Sequence, residues 1–167
     1  APDTTETFSY LSSTLTTTVI TRDDSAMDGV TVTASGNSHT TDSSGQVSFE
    51  VSNGSDVVMD ASFAINDSAT NAINSMDALQ ALRIAVGLDT SNGPATYEDF
   101  ISADFNQDGK VSSQDALSIL KYSVGLPTPE QAKWVFVDSS GDYSGVSKSN
   151  TSYTCLLYTS DAADDGL

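Results

Sequence analysis

The chain has 167 residues, 38% of them hydrophobic, and its six Lys and Arg stand against 23 Asp and Glu, for a formal net charge of −17. Such an excess of negative charge repels nucleic acid and anionic lipid, and no apolar run approaches the ~18 residues of a membrane span. The sequence therefore predicts no nucleic-acid partner and no membrane span, but an attraction for divalent cations; a salt-adapted origin would account for the acidic residues as well.

Residues 1–63 have the composition of β-strands separated by turns. Alternating or β-branched segments occur at 14–21, 29–34, 46–51 and 56–63, and turn residues such as Asn53 and Gly54 stand between them. Short alternating segments at this spacing predict a small antiparallel β-sandwich. Residues 129–154 return to a similar composition, and we expect them to begin a further, truncated β region.

One stretch of the first region carries a more specific pattern. Thr41, Asp42, Gly45, Val47 and Phe49 form the series T-D-x-x-G-x-V-x-F after a Val-alternating strand. This stretch resembles the prealbumin-like and carboxypeptidase-regulatory-like β-sandwich modules of secreted bacterial proteins. The resemblance implies a β-sandwich module in an extracellular protein.

Residues 64–128 contain an internal repeat at an offset of 38. Residues 76–88 read MDALQALRIAVGL and residues 114–126 read QDALSILKYSVGL, with seven of the 13 positions identical. Apolar residues recur at helical spacing, at 79, 82 and 86 and again at 117, 120 and 124. Each segment ends at a glycine, Gly87 or Gly125, which suits the left-handed position after a helix. The repeat predicts a duplicated loop-plus-helix unit.

The loop before the second helix has the spacing of a calcium-binding loop of EF-hand type. Residues 104–115 read DFNQDGKVSSQD, with oxygen-bearing groups at loop positions 1, 3, 5, 7, 9 and 12. Gly109 stands at position 6, where the backbone must take a positive φ. The predicted ligands are side-chain oxygens, together with the backbone carbonyl of position 7: Asp104, Asn106, Asp108, Lys110, Ser112 and Asp115. Position 12 is Asp where Glu is common, so the helix must come closer to the ion.

The corresponding loop of the first copy is much poorer in charge. The ligand positions align with Asn66, Ser68, Thr70 and Asp77, so neutral oxygens replace two of the carboxylates. We expect a weak or lost second calcium site there.

Together, the paired loop–helix units, the Asp at position 12 and the terminal V-G-L are similar to the dockerin family. The resemblance implies a fold that forms only with calcium and a cohesin-type protein domain as partner. It places the partner-binding residues at loop positions 10 and 11 and at the later basic residues: Ser75, Met76, Arg83, Ser113, Gln114 and Lys121. The predicted fold class is thus a multidomain β plus α protein, a small antiparallel β-sandwich followed by an all-α pair of calcium-loop–helix motifs.

The C-terminal tail differs from the rest of the chain. Residues 155–165 read CLLYTSDAADD and resemble the translated reverse complement of a sequencing adapter, so we expect residues 155–167 to be an artefact of an assembled fragment. The first residue is Ala, which indicates either a removed leader or an internal fragment. Residues 138–142, DSSGD, could form another calcium loop or a plain turn.

These patterns favour a calcium-binding, non-catalytic and monomeric interaction module of a secreted or cell-surface bacterial protein. His39 is the single histidine and stands in a polar stretch, and no Ser-His-Asp arrangement can be assembled. Two alternatives stay open: a calcium-stiffened structural junction in a large adhesin-like or type I-secreted protein, and the accessory part of a secreted polysaccharide-degrading enzyme.

Overall fold

The computed structural model describes residues 11–65 and 72–153, and the chain divides between Ser62 and Phe63 into two compact units. The predicted boundary lay one residue later. Among the described residues, no helix is long and apolar enough to cross a membrane.

The first unit contains two small antiparallel sheets. The strands are β1 Ser12–Thr18, β2 Thr31–Ala34, β3 Asn37–Thr40, β4 Gln46–Ser52 and β5 Met59–Ser62. In one sheet β1 pairs with β4, with Leu15 opposite Phe49. In the other, β2 lies between β3 and β5, so that Thr31 faces Thr40 on one side and Ser62 on the other.

Side-chain alternation decides which residues of this unit are buried. Along β4, Val47, Phe49 and Val51 are buried while the residues between them are exposed, as expected for a strand with one solvated face. Val30, Val32 and Val57 are also almost fully buried. The core of the unit is therefore built mainly from valines at alternating positions.

The T-D-x-x-G series forms the turn that leads into β4. Asp42 Oδ1 accepts hydrogen bonds from Ser44 N at 2.8 Å and Gln46 N at 3.0 Å. Gly45 has a φ of +73°, and a Cβ there would lie 2.4 Å from the carbonyl oxygen of Val19. Thr41 is buried, and its hydroxyl donates to Met27 O at 2.6 Å. The series thus has a local structural role at this turn.

The second unit contains the helices. They are α1 Ser75–Ala85, α2 Tyr97–Ala103 and α3 Ser113–Ser123, so both repeated segments are helical. Both long helices end at a glycine with positive φ. Leu88 N donates a hydrogen bond to Arg83 O, and Leu126 N donates one to Lys121 O, each at 2.8 Å, as is common at the C-terminal end of a helix.

Helices α1 and α3 pack on each other through small residues. Their shared core contains mainly alanine, isoleucine and valine side chains: Ala78, Ala81, Ile84, Ala103, Val111, Ala116 and Ile119. The residues of the predicted apolar stripes lie elsewhere. Their side chains are between 42% and 62% exposed: Leu79, Leu82, Val86, Leu117, Leu120 and Val124.

Residues 129–153 belong to the same compact unit as the helices. Within this range the structure has turns and one isolated bridge, Ser147 with Asn150, and no assigned strand. Tyr143 stacks on Tyr97 of α2 with ring centroids 4.2 Å apart. The segment that we expected to begin a further β region therefore packs against the helical part of its own unit. The predicted adapter tail lies outside the described residues.

Candidate calcium site

The calcium-loop sequence connects two helices. Helix α2 ends at Ala103, Asp104 caps it, and α3 begins at Ser113. The repeat predicts α3, whereas α2 is a helix that was not predicted from the sequence. A local signal for α2 exists, because Thr96 N donates to Asp99 Oδ2 at 2.8 Å in the arrangement of a capping box.

The backbone of the loop folds around the side chain of Asp104. Asp108 N donates to Asp104 Oδ1 at 3.1 Å, and Gly109 N donates to Asp104 Oδ2 at 3.0 Å. Gln107 and Gly109 have φ values of +56° and +91°, which allows the chain to turn this tightly. The glycine predicted at position 6 therefore has the backbone conformation for which it was singled out.

Both ends of the loop bury a carboxylate. Asp104 is 6% exposed and Asp115 is 0% exposed. Asp115 Oδ1 accepts from Asn106 N at 3.1 Å, and its Oδ2 accepts from Ser112 N at 2.8 Å and Ser112 Oγ at 3.0 Å. Asp115 thus ties the first part of the loop to the start of α3.

Neither buried carboxylate has a cationic side chain as its partner within residues 11–65 and 72–153. The ion pair at this loop joins Lys110 Nζ to Asp108 Oδ2 at 3.9 Å, on the exposed side. Buried charges in proteins are normally paired or bound to metal, because their desolvation is costly.

The remaining predicted ligands lie along the same loop. Asn106 Oδ1 accepts from Asp108 N at 3.0 Å, and Asp108 Oδ1 accepts from Lys110 N at 3.2 Å. Ser112 is the N-cap of α3. Within the described part of the chain, no three His, Cys, Asp or Glu side chains converge as a ready metal cluster. The oxygen-rich donor set is of the type that calcium prefers.

Of the ligands predicted for the second calcium site, Asp77 alone lies among the described residues. Asp77 is exposed and accepts from Asn74 N at 2.8 Å in a capping box at the start of α1. Asn66, Ser68 and Thr70 lie outside the described residues. Ile73, the counterpart of Val111, packs against the helix core.

The DSSGD segment has the geometry of successive turns. Asp138 Oδ1 accepts from Ser140 N at 2.9 Å, and Asp142 Oδ1 accepts from Ser144 N at 3.0 Å. The second of these bonds is the main reason that the pKa of Asp142 lies below its usual value. Each carboxylate therefore binds its own local backbone.

The residues predicted to bind a partner lie beside the exposed apolar stripes. Met76 is 56% exposed, and it shares one helical face with Leu79, Arg83 and Val86 at spacings of three and four residues. The guanidinium of Arg83 donates from Nε to Asp89 O at 2.7 Å, which fixes it near the end of α1. We call this face of α1, with its equivalent on α3, the helical apolar face.

On α3 the equivalent positions repeat the pattern. Ser113 and Gln114 are exposed, as is Ser75 in the first copy, and Leu117, Lys121 and Val124 continue the face along the helix.

Comparisons of the chain with protein-family models, curated proteins and solved structures yield no match.

Proposed function

We propose that residues 63–153 form a calcium-binding, non-catalytic interaction module of a secreted or cell-surface bacterial protein. The observation that carries the proposal is the pair of buried carboxylates, Asp104 and Asp115, at the two ends of a loop with EF-hand spacing. The loop supplies three carboxylates and three neutral oxygens, which is the ligand type and number that Ca²⁺ requires.

Calcium would resolve the electrostatic problem of this loop. Two buried negative charges and the nearby Asp108 repel one another, and the surrounding chain is itself strongly acidic. A divalent cation among them converts repulsion into attraction, so binding and folding of the loop are expected to be coupled.

The helical apolar face supports a protein partner for this module. Exposed apolar side chains grouped along a helix are typical of interaction sites, and here they alternate with Arg83 and Lys121 in an otherwise acidic chain. A partner with an apolar patch rimmed by carboxylates would fit this face. By its resemblance to dockerins, we propose a cohesin-type domain as that partner.

A calcium-stiffened structural junction is the second candidate. It is favoured by the hydrogen bonds that attach the calcium loop to residues 148–151, after the helices. The two candidates differ in their need for a partner, because a junction gains stability from calcium without using the helical apolar face.

Calorimetric titration with calcium tests the shared part of both candidates. We expect one site in the wild type, its loss in Asp104→Asn, and unchanged binding in Asp89→Asn, which neutralises an exposed aspartate of the same unit. No heat of binding at millimolar calcium in the wild type would contradict the proposal.

Pull-down against cohesin-type domains then distinguishes the candidates. We expect calcium-dependent capture by the wild type and weaker capture by Leu117→Gln, which changes an exposed side chain of the helical apolar face. Calcium-dependent stability without capture would favour the structural junction.

A further inference from the structure

The segment after the helices forms a second layer of contacts on the calcium loop. Val111 N donates to Lys148 O at 2.7 Å, and Thr151 N donates to Gly109 O at 3.0 Å. Two backbone hydrogen bonds therefore attach residues 148–151 to the calcium loop.

The side chain of Lys148 continues the same attachment. Its ammonium lies 3.3 Å from Ala85 O, at the C-terminal end of α1. A cation is favourable there because the last carbonyls of a helix carry partial negative charge. Residues 148–151 therefore connect the end of α1 to the calcium loop.

Thr151 extends this contact to the first calcium ligand. The residue is 5% exposed, and its hydroxyl donates to Asp104 Oδ2 at 2.5 Å. The same oxygen also accepts from Gly109 N, while Asp104 Oδ1 accepts from Asp108 N. Three donors thus hold one carboxylate, and Thr151 is the one that comes from outside the loop.

The distribution of these donors leaves the two carboxylate oxygens unequal. Each oxygen of an ionised carboxylate has about two lone-pair positions. Oδ2 receives two donors and is saturated, whereas Oδ1 receives one and keeps a position open. An ion approaching Asp104 in this arrangement would therefore bind through Oδ1.

We propose that Thr151 is a positioning residue for the calcium site, whose hydroxyl occupies Asp104 Oδ2 and presents Oδ1 to the ion. The proposal rests on the proposed calcium-binding function and adds a residue 36 positions beyond the loop's last ligand. Hydrogen-bond partners of metal ligands lower the cost of ordering them, and their loss commonly reduces metal affinity by about 10- to 100-fold.

Three variants separate the hydroxyl from other contributions of this segment. Thr151→Val removes the hydroxyl and keeps the shape, Thr151→Ser keeps the hydroxyl, and Ser152→Ala removes the hydroxyl of the adjacent exposed residue. Calcium affinity is measured by calorimetry on the full chain, and melting in chelator reports the stability of the calcium-free form.

We expect Thr151→Val to weaken calcium binding about 10-fold, while Thr151→Ser and Ser152→Ala stay close to the wild type. Equal affinity in Thr151→Val and wild type would overturn the role of Thr151 while leaving calcium binding in place. Equal weakening in Thr151→Ser and Thr151→Val would also overturn it, because the hydroxyl would then not be the active group. A wild type that binds no calcium overturns the proposed function and this inference together.

Amide hydrogen exchange in the wild type supplies a test that does not depend on a variant folding. Calcium binding and docking of the segment stabilise each other if Thr151 links them, since coupling of two equilibria is reciprocal. Exchange at Val111 and Thr151 should therefore slow when calcium is added. Unchanged exchange at both amides with calcium bound would contradict the coupling.

Discussion

Replacement of Asp115 by alanine should destabilise the second unit both with and without calcium. The carboxylate is fully buried and accepts hydrogen bonds from Asn106 N, Ser112 N and Ser112 Oγ. A hydrogen bond to a charged group contributes about 1.5–3 kcal/mol. The alanine leaves two half-buried amides without their acceptor, so we expect a loss of about 3 kcal/mol in chelator.

Calcium adds a second contribution to the difference in unfolding free energy between the wild type and Asp115→Ala. A ligand that binds only the folded form at 100 times its dissociation constant stabilises that form by about 2.7 kcal/mol. The wild type should gain this amount, whereas Asp115→Ala should gain little because position 12 has lost its oxygen. The two proteins should then differ by about 6 kcal/mol in saturating calcium, with residues 64–128 unfolding first.

Urea denaturation, followed by tryptophan fluorescence in chelator and in calcium, measures both contributions to the unfolding free energy. Trp134 is the only tryptophan of the chain; it belongs to the second unit and lies against Phe63, with ring centroids 5.8 Å apart. Asp89→Ala is the matched control, because it removes the same charge from an exposed position and should change stability by no more than about 0.5 kcal/mol. An Asp115→Ala variant with wild-type midpoints in chelator and in calcium would refute the reasoning.

Three further substitutions test other parts of the second unit. Gly109→Ala places a Cβ at a φ of +91° and should lower the free energy of unfolding by about 1–2 kcal/mol. An unchanged urea midpoint would mean that residue 109 does not need this backbone conformation. Ala81→Leu, at a 1% exposed position, should lower the free energy of unfolding by about 1–3 kcal/mol, against no more than about 0.5 kcal/mol for the exposed Val124→Ser. Equal losses in the two variants would mean that Ala81 does not lie on the packed face of the helix. Thr128→Val should raise the pKa of Glu130, which the Thr128 hydroxyl holds below its usual value more than any other group does. Because that pKa is depressed in the folded state, the stabilising effect of Thr128 should be present above the usual glutamate pKa and disappear as the pH falls through the folded value. NMR titration of Glu130 and urea midpoints at several pH values measure this, and identical titrations of variant and wild type would contradict it.

The repeat predicted the two long helices because each one carries its signals locally. A helical apolar period and a terminal glycine lie within 76–88 and again within 114–126, and the capping residues Asn74 and Ser112 stand two positions before these segments. Helix α2 has only seven residues, Tyr97–Ala103, which is too short for a period to appear. Its capping box at Thr96 and Asp99 was the available signal.

Strand β3 shows the same limit in the first unit. All four of its residues, Asn37–Thr40, are exposed and polar, so alternation gives no signal. The strand forms because Ser35 and Gly36 take φ values of +50° and +82°, which turns the chain back onto β2. Turn residues predicted the reversal, but the strand after it follows from pairing with Thr31–Ala34.

The buried face of each helix could not be chosen from periodicity. Leucine and alanine both recur at helical spacing in the repeat, and the larger residues define the more obvious stripe. The structure buries Ala78, Ala81 and Ala116 instead, since small side chains allow the backbones of α1 and α3 to approach closely. The leucines are thereby left on the outside of the pair.

This arrangement relates the calcium loop to the helical apolar face. Asp115 lies in the first turn of α3, and its buried carboxylate fixes the rotation of that helix relative to the loop. The rotation of α3 in turn decides that Ala116 and Ile119 face α1 while Leu117 and Leu120 face outward. The corresponding residue in the first turn of α1, Asp77, is exposed and does not anchor that helix in the same way. If calcium binds Asp115, removal of calcium should loosen the α3 half of the helical apolar face more than the α1 half. Partner binding and calcium binding would then depend on the same carboxylate.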